Sequence, residues 1–208
     1  MSLHDVLLAA LKSWPDDLFV TDDRGGFDFK TVISDVQRMS NKLIEEGVSV
    51  GDRVLVMTKR DCDQVTLLLA IVNISAIYVP LGASASDDTV FHIAKNSGAK
   101  FLITDRKDIK FNHRDLSLQI IFKNDLKVGR NQSAEKFKNG SSNAPAAILY
   151  TSGSTGTPKG VVQTVGNLLE GAVMVNKIQK INRGDIVGSL LPFNFDYGVN
   201  YIFICLIS

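Results

Sequence analysis

The stretch YTSGSTGTPKG, residues 150–160, brings together side chains that could bind a phosphate chain. Its three glycines permit unusual backbone angles and a close approach of the ligand. Successive backbone N–H groups in such a loop can form an anion-binding nest. Five hydroxyl side chains between residues 151 and 157 add hydrogen-bond donors, and Lys159 adds a positive charge suited to phosphate. Because the window has no acidic residue, its composition favours an anionic ligand.

Two other interpretations of this loop are open. A Walker A loop has the pattern G-x-x-x-x-G-K-[ST] and opens a helix. Here Pro158 precedes Lys159 and Gly160 follows it, and a β-branched run comes next, so the pattern disfavours that class. A glycine- and serine-rich surface turn without a ligand is the second alternative, and composition alone does not exclude it.

The elements around the loop are predicted to be strands. The segment AAILY delivers the chain into the loop, and the β-branched run GVVQTV follows it. The loop is therefore expected to be a bend between two strands. The other strands that we predict are VLVM, AIYVPL, AKFLITD, LQIIF and DIVGSLLP.

Helical patterns alternate with these strands. Helices are predicted at the N-terminus, through residues 28–47, through QVTLLLAIVNIS, from residue 86 to 98, and through NLLEGAVMVNKI. Their expected N-caps are Asp28, Asp63, Ser86 and Asn167. Alternating strands and helices predict an α/β fold with parallel-sheet layers and flanking helices. Residues 124–145 are polar and are predicted to be an exposed linker before the loop-bearing strand.

Composition indicates an ordinary globular protein. The chain has 208 residues, a net charge of +1 and two cysteines with no metal-like spacing, which predicts a reducing, cytoplasmic location. Residues 64–86 carry no charge, but their polar residues and proline favour a buried helix and strand over a membrane span. Basic residues are enriched between residues 100 and 138, yet acids are scattered among them, so we expect a solvated surface and no nucleic-acid partner.

The order of residues in ILYTSGSTGTPKGVV resembles the signature of the adenylate-forming superfamily, which includes acyl-CoA synthetases and peptide-synthetase adenylation domains. Two further segments, residues 27–56 and 68–84, resemble other conserved blocks of that family, although Asn73, Ile74 and Ser75 replace a Lys-Ala-Gly-like step. The resemblance implies that ATP, with Mg²⁺, activates a carboxylic or amino acid as an acyl-adenylate. A thiol of coenzyme A or of a phosphopantetheinyl carrier protein then accepts the acyl group. The ATP phosphates would be held by Thr151, Ser152, Gly153, Ser154, Thr155, Gly156, Thr157, Pro158 and Lys159.

A second part of the resemblance lies in LPFNFDYGVN. Many acyl-CoA synthetases have a histidine where this chain has Phe195, whereas peptide-synthetase adenylation domains have Phe-Asp-x-Ser. Phe195 and Asp196 match the first two of those positions, and Gly198 replaces the serine. The resemblance implies that Asp196 binds the α-ammonium group of an amino acid and that Phe195 forms a wall of the substrate pocket. Alternatively, Asp196 only turns the chain after a strand, and Phe195 only packs in the core.

The sequence lacks the family's later motifs, including the catalytic lysine of the small C-terminal domain. The apolar ending YGVNYIFICLIS has no cap or polar tail, so we expect residues 1–208 to be an incomplete AMP-binding large domain. No catalytic acid or base is assigned, and no metal ligand is known from the sequence. An inactive or binding-only remnant of such an enzyme is the alternative to an active ligase.

Overall fold

The computed structural model describes residues 2–109, 117–127, 141–151 and 158–208. The strands are β1 (Leu18–Asp22), β2 (Gly25–Asp28), β3 (Arg53–Met57), β4 (Ile77–Pro80), β5 (Phe101–Thr104), β6 (Gln119–Phe122), β7 (Pro145–Thr151) and β8 (Lys159–Thr164). The helices are α1 (Leu3–Ser13), α2 (Phe29–Glu45), α3 (Cys62–Asn73), α4 (Asp87–Ser97), α5 (Val165–Gln179) and α6 (Asp196–Ile207). A 3₁₀ helix spans Lys123–Lys127.

The main sheet has the strand order β6-β5-β3-β4-β7-β8, and a separate antiparallel ribbon joins β1 to β2. All neighbouring pairs of the main sheet are parallel except β7 with β8, which pair antiparallel. The predicted α/β class with a parallel-dominated sheet is therefore confirmed. The carboxyl ends of β3, β4, β5, β6 and β7 consequently point to the same edge of the sheet.

Alternation along the central strand divides the core into two layers. Val54 and Val56 of β3 pack into a large cluster with residues of α1, α2, α3, α5 and α6. Leu55 and Met57 belong to a smaller cluster that includes residues of α4. All four side chains are essentially inaccessible to solvent, as expected when helices cover both faces of a parallel sheet.

The N-terminal caps confirm two predictions and correct two others. The side chains of Asp28 and Ser86 accept hydrogen bonds from the backbone N–H groups of Thr31 and Thr89, as expected. Helix α3 is capped by Asp61 rather than Asp63, which lies within its first turn. Helix α5 is capped by Thr164, whose oxygen accepts from the Asn167 backbone N–H at 3.0 Å. In both cases the residue with extended backbone angles lies two or three positions earlier than predicted.

The predicted strand DIVGSLLP is wrong, because residues 185–192 form no regular element. The segment pairs with no described strand, although the edge strand β8 has no described partner on its outer side. Ile186 and Leu190 are consequently 88% and 86% exposed. The guanidinium of Arg60 donates to the Leu190 carbonyl oxygen at 2.7 Å and ties the segment to the start of α3.

The region predicted as an exposed linker contains a buried anchor. Leu126 of the 3₁₀ helix is fully buried, and Pro145 already begins β7. Residues 128–140 lie outside the described part of the chain. The apolar stretch after residue 64 forms a buried helix and strand, as predicted. Within the described ranges, no helix is both long and apolar enough to cross a lipid bilayer.

Candidate nucleotide and substrate site

The two ends of the glycine-rich loop meet as cross-strand neighbours. Thr151 is the last residue of β7 and Lys159 is the first residue of β8, and the two pair in the antiparallel register. Both side chains are exposed. The predicted placement of the loop between two strands is confirmed, so a hydroxyl and an ammonium group stand together at its base.

Most of the predicted phosphate-binding residues cannot be placed. Ser152, Gly153, Ser154, Thr155, Gly156 and Thr157 lie outside the described residues. Thr151, Pro158 and Lys159 are described, and they border that gap on both sides. The phosphate role of the whole set therefore stays a prediction.

The base of the loop lies at the edge of the sheet where ligands bind in folds of this type. Strand β7 runs parallel to β4, so Thr151 is at the carboxyl edge of the parallel strands. In open α/β sheets, ligands occupy crevices outside the carboxyl ends of the strands. The sheet thus presents Thr151 and Lys159 where a nucleotide can reach them.

Gly160 has a steric role that the sequence analysis did not foresee. It pairs with Tyr150 across the β7–β8 ladder. A Cβ atom at Gly160 would lie 2.8 Å from the Ile148 Cγ2 atom and 3.1 Å from the Tyr150 Cζ atom. Real Cβ atoms essentially never show contacts under 3.0 Å, so Gly160 is needed for the packing of these neighbours as well as for any ligand.

The predicted substrate residues lie at the start of α6. Phe195 is the N-cap, with extended backbone angles and no side-chain capping bond, and its ring is 57% exposed. Asp196 is in the first helical turn and is also exposed. A carboxylate in that position interacts favourably with the helix dipole, so a helix-end role for Asp196 is compatible with the geometry. The pocket roles of Phe195 and Asp196 stay predictions.

Gly198 is buried two residues further along α6. A Cβ atom there would stand 2.3 Å from the Pro192 carbonyl oxygen and 3.0 Å from the Leu191 carbonyl oxygen. Because these neighbours are backbone atoms, they cannot move aside as a flexible side chain could. Gly198 therefore allows residues 191–192 to cross closely over the first turn of α6.

Gly198 also lines two adjoining cavities, of about 790 Å³ and about 620 Å³. The larger cavity lies between α6, the β1 strand and residues 181–189. Its wall combines an aromatic and apolar floor with a charged rim, including Trp14, Phe19, Phe193, Ile202, Asp17 and Arg183. The volume is in the range of small-molecule sites.

A buried charge cluster at the carboxyl edge was missed by the sequence analysis. Lys123, in the 3₁₀ helix after β6, is only 5% exposed. Its Nζ atom lies 2.6 Å from Asp61, 3.3 Å from Asp105 and 3.8 Å from Asp63. Lys123 therefore does not belong to the solvated surface that we expected for the basic residues of this region.

Burial opposes the charge on Lys123, but the hydrogen bond to Asp61 and the nearby carboxylates outweigh that effect and raise its pKa. Two other basic residues of this region also form ion pairs. Arg106 contacts Asp87 and Asp108, and Lys100 contacts Asp52. The sequence signal for this cluster was a pair of acidic residues that directly follow strands or begin helices. Asp105 follows β5, and Asp61 caps α3.

A Mg²⁺ site within the described residues is not supported by ligand geometry. Outside the gaps in the described chain, no group of three or more His, Cys, Asp or Glu side chains could hold a metal ion. The exposed Lys159 and Thr151 instead fit an anion. We assign no Mg²⁺ ligand among the residues that the structure describes.

The fold and the loop define an α/β protein with a glycine-rich hairpin, β7 and β8, at the edge of its main sheet. A family model described as AMP-binding enzyme matches residues 7–208, and the chain belongs to that family. The resemblance to the adenylate-forming superfamily is therefore confirmed. Among curated proteins, the "Anguibactin system regulator" of Vibrio anguillarum is 30% identical over 97% of this chain and 19% of its own length. "Syringomycin synthase SyrB1" of Pseudomonas syringae pv. syringae is 27% identical over 95% of this chain and 32% of its own length.

Solved structures show the same fold. VinN, in complex with L-aspartate, superposes with a TM-score of 0.91 at 21% identity, over 100% of this chain and 60% of that one. The o-succinylbenzoate CoA synthetase MenE from Bacillus subtilis, in complex with an acyl-adenylate intermediate, has a TM-score of 0.84 at 25% identity. That match covers 98% of this chain and 53% of MenE. The present chain thus spans less than two thirds of these relatives.

Proposed function

We propose that this chain supplies the nucleotide-gripping part of an enzyme that activates a carboxylic acid with ATP. In the proposed reaction the carboxylate attacks the α-phosphorus of ATP, and the bond from that phosphorus to the pyrophosphate oxygen breaks. The products are an acyl-adenylate and pyrophosphate. The observation that carries the proposal is the cross-strand pairing of Thr151 with Lys159 at the carboxyl edge of the sheet, in a chain that matches the AMP-binding family.

Lys159 and Thr151 would hold the β- and γ-phosphates. The ammonium group of Lys159 neutralises negative charge on the leaving pyrophosphate, and the Thr151 hydroxyl donates a hydrogen bond to a phosphate oxygen. Their cross-strand pairing fixes the distance between their backbones, so the two groups are oriented before the ligand arrives. Residues 152–157 complete the grip in this proposal. Mg²⁺, when bound to the nucleotide, shares the charge neutralisation.

The acid would enter beside the start of α6. Gly198 opens onto both cavities, while Phe195 and Asp196 lie on the same helical turn. We propose Phe195 as a wall of the pocket and Asp196 as the partner of an ammonium group if the substrate is an amino acid. The complex of VinN with L-aspartate is consistent with an amino acid, whereas the MenE complex is consistent with a carboxylic acid that has no amino group.

Transfer of the acyl group to a thiol is the second half of the proposal. The acceptor would be coenzyme A, as for the o-succinylbenzoate CoA synthetase MenE, or a phosphopantetheinyl carrier protein, as the resemblance to the adenylate-forming superfamily implies. A cytoplasmic location belongs to the same proposal, because ATP and coenzyme A chemistry and the two free cysteines fit a reducing compartment.

Calorimetric titration of the 208-residue chain with MgATP tests the phosphate role. We expect Lys159→Ala to weaken MgATP binding about tenfold, since a lost charge-assisted contact is worth roughly 1.4 kcal/mol. Lys177→Ala is the matched control, because Lys177 is exposed in the last turn of α5 and lies outside the proposed site. Equal affinities of the two variants would refute the assignment of Lys159.

A pyrophosphate-release assay addresses the alternative of a binding-only remnant. We expect the 208-residue chain alone to bind MgATP without carboxylate-dependent release of pyrophosphate, because its sequence lacks the family's later motifs. Release above the rate without protein would show that these residues suffice for activation. In a longer protein that contains those motifs, Lys159→Ala should raise KM for ATP more than KM for the acid.

A further inference from the structure

The Tyr150 side chain is held from two sides. Tyr150 precedes Thr151 in β7, and its half-buried ring packs over Gly160 of the neighbouring strand. Its hydroxyl donates a hydrogen bond to the Asn96 Oδ1 atom at 2.6 Å. Asn96 belongs to the last turn of α4, 54 positions earlier in the chain. One side chain thus connects the hairpin to a helix on the face of the sheet.

The end of α4 that bears Asn96 is itself fixed. Arg53, at the start of the central strand β3, donates to the Ser97 carbonyl oxygen at 2.9 Å and to the Gly98 carbonyl oxygen at 2.6 Å. A guanidinium that bonds two of the final carbonyls of a helix stabilises that end. The hydrogen bond from Tyr150 therefore ends on a rigid part of the fold.

Burial raises the pKa of Tyr150 and outweighs a hydrogen bond with the neighbouring Ser97 side chain, which lowers it, so the hydroxyl remains a donor near neutral pH. Thr151 and Lys159 are the pair next to Tyr150 and Gly160 in the ladder. Any twist of the strand ends at Tyr150 would move Thr151 and Lys159 relative to the sheet. Because the hydrogen bond lies one residue before Thr151, it restrains the strand at the point where a twist would displace Thr151 and Lys159 most.

We propose that Tyr150 is a positioning residue, which fixes Thr151 and Lys159 through its hydrogen bond to Asn96 and its packing over Gly160. The effect on ATP binding rests on the proposed function. The restraint of Thr151 and Lys159 by Tyr150 does not depend on it. Tyr150 makes no contact with the ligand in this role. Tyr150 instead restricts the motion of the two strand ends, Thr151 and Lys159, which would contact the ligand.

The first test measures the hairpin without any ligand. Amide hydrogen exchange of the 208-residue chain is compared between the native sequence, Tyr150→Phe and Asn96→Leu. Each variant loses the hydrogen bond while keeping a side chain of similar size. We expect exchange at residues 149–151 and 159–161 to become about fivefold faster in both, as for the loss of one ordinary hydrogen bond. Exchange in β3 should not change, which separates a local effect from lower global stability.

Coupling between the two side chains provides the control. The double variant Tyr150→Phe/Asn96→Leu should exchange no faster than Tyr150→Phe alone, because Tyr150→Phe already lacks the bond that Asn96→Leu removes. Asn96→Asp keeps an oxygen acceptor and should restore the native exchange rate. Multiplicative effects in the double variant, or unchanged exchange in Tyr150→Phe, would overturn the proposal.

The second test adds MgATP. We expect Tyr150→Phe to weaken MgATP binding about fivefold and Asn96→Asp to leave it at the native value. If the native chain binds no MgATP, the proposed function fails for this chain, while the exchange experiment still decides whether Tyr150 restrains the hairpin. If the native chain binds MgATP and Tyr150→Phe binds equally well, the positioning role is refuted and the proposed function stands.

Discussion

The Lys123 Nζ atom lies 2.6 Å from the Asp61 Oδ2 atom, and this contact joins the 3₁₀ helix after β6 to the N-cap of α3. The same Asp61 side chain accepts from the Gln64 backbone N–H at 3.0 Å through its other oxygen. One carboxylate therefore both caps a helix and neutralises a buried lysine. The pair holds two segments together at the edge of the sheet where β7 ends at Thr151.

Replacing Lys123 with methionine should destabilise the protein. The substitution leaves the carboxylates of Asp61 and Asp105 close together without the cation between them, and we expect the free energy of unfolding to fall by about 2 kcal/mol. Urea titration measures the change. Lys42→Met is the control, because Lys42 pairs with Glu45 and Glu46, which stay in contact with solvent, and it should cost far less stability than Lys123→Met. Similar losses in both variants would contradict the importance of burial.

The raised pKa of Lys123 also predicts a pH dependence. A lysine whose pKa is higher in the folded than in the unfolded state stabilises the fold fully below its usual pKa of 10.5. That contribution is lost as the pH rises through the folded value. We therefore expect the native chain to lose more stability than Lys123→Met between pH 10 and pH 12. Parallel stability curves for the two proteins would refute the coupling.

The ionised Asp22 side chain should account for part of the loss of folding stability at low pH. The hydrogen bond from Arg24, assisted by that from the Cys62 backbone N–H, holds the pKa of Asp22 far below its usual value of 3.8. A lowered pKa stabilises the fold above pH 4, and this stabilisation fades as the pH falls below that value. Between pH 5 and pH 2, the native chain should lose about 1 kcal/mol more than Asp22→Asn. Asp23→Asn, at an exposed neighbouring position, should follow the native curve.

The spacing of apolar residues in the sequence was sufficient to predict most helices and strands of the fold. Helix α2 was predictable because Val32, Val36, Met39 and Leu43 recur on one face, and all four are buried. The strands flanking the loop were predictable from their β-branched and apolar residues. These signals are local, since each depends only on spacing within a single element.

The features that the sequence analysis missed depend on contacts between distant segments. Residues 185–192 have the composition of a strand, yet they pair with no described strand and form no regular element. Lys123 looks like any surface lysine in the sequence, and only the meeting of β3, β5 and β6 at one edge surrounds it with carboxylates. Gly160 was attributed to phosphate access, whereas the Tyr150 ring across the ladder also requires it.

The corrected N-cap of α5 can be tested directly. Thr164→Ala removes the oxygen that accepts from the Asn167 backbone N–H, and it should lower the free energy of unfolding by about 1 kcal/mol. Thr164→Ser keeps the hydroxyl and should retain most of the stability. Asn167→Ala preserves the backbone N–H and should cost less than Thr164→Ala. The reverse order of the two alanine variants would restore Asn167 as the stabilising residue of this helix end.

Gly198 offers the sharpest test of how the candidate substrate pocket is built. Alanine at this position places a methyl group 2.3 Å from the Pro192 carbonyl oxygen, so either residues 191–192 or the first turn of α6 must move. We expect a loss of about 2 kcal/mol in unfolding free energy, typical of overpacking against a rigid neighbour. Gly82→Ala is the control, because a Cβ atom there meets nothing within 4 Å, and its effect should stay within about 0.5 kcal/mol. Since Asp196 lies in the displaced turn, a Gly198→Ala protein that keeps native stability and native amide chemical shifts from residue 191 to 199 would show that the close crossing is not required.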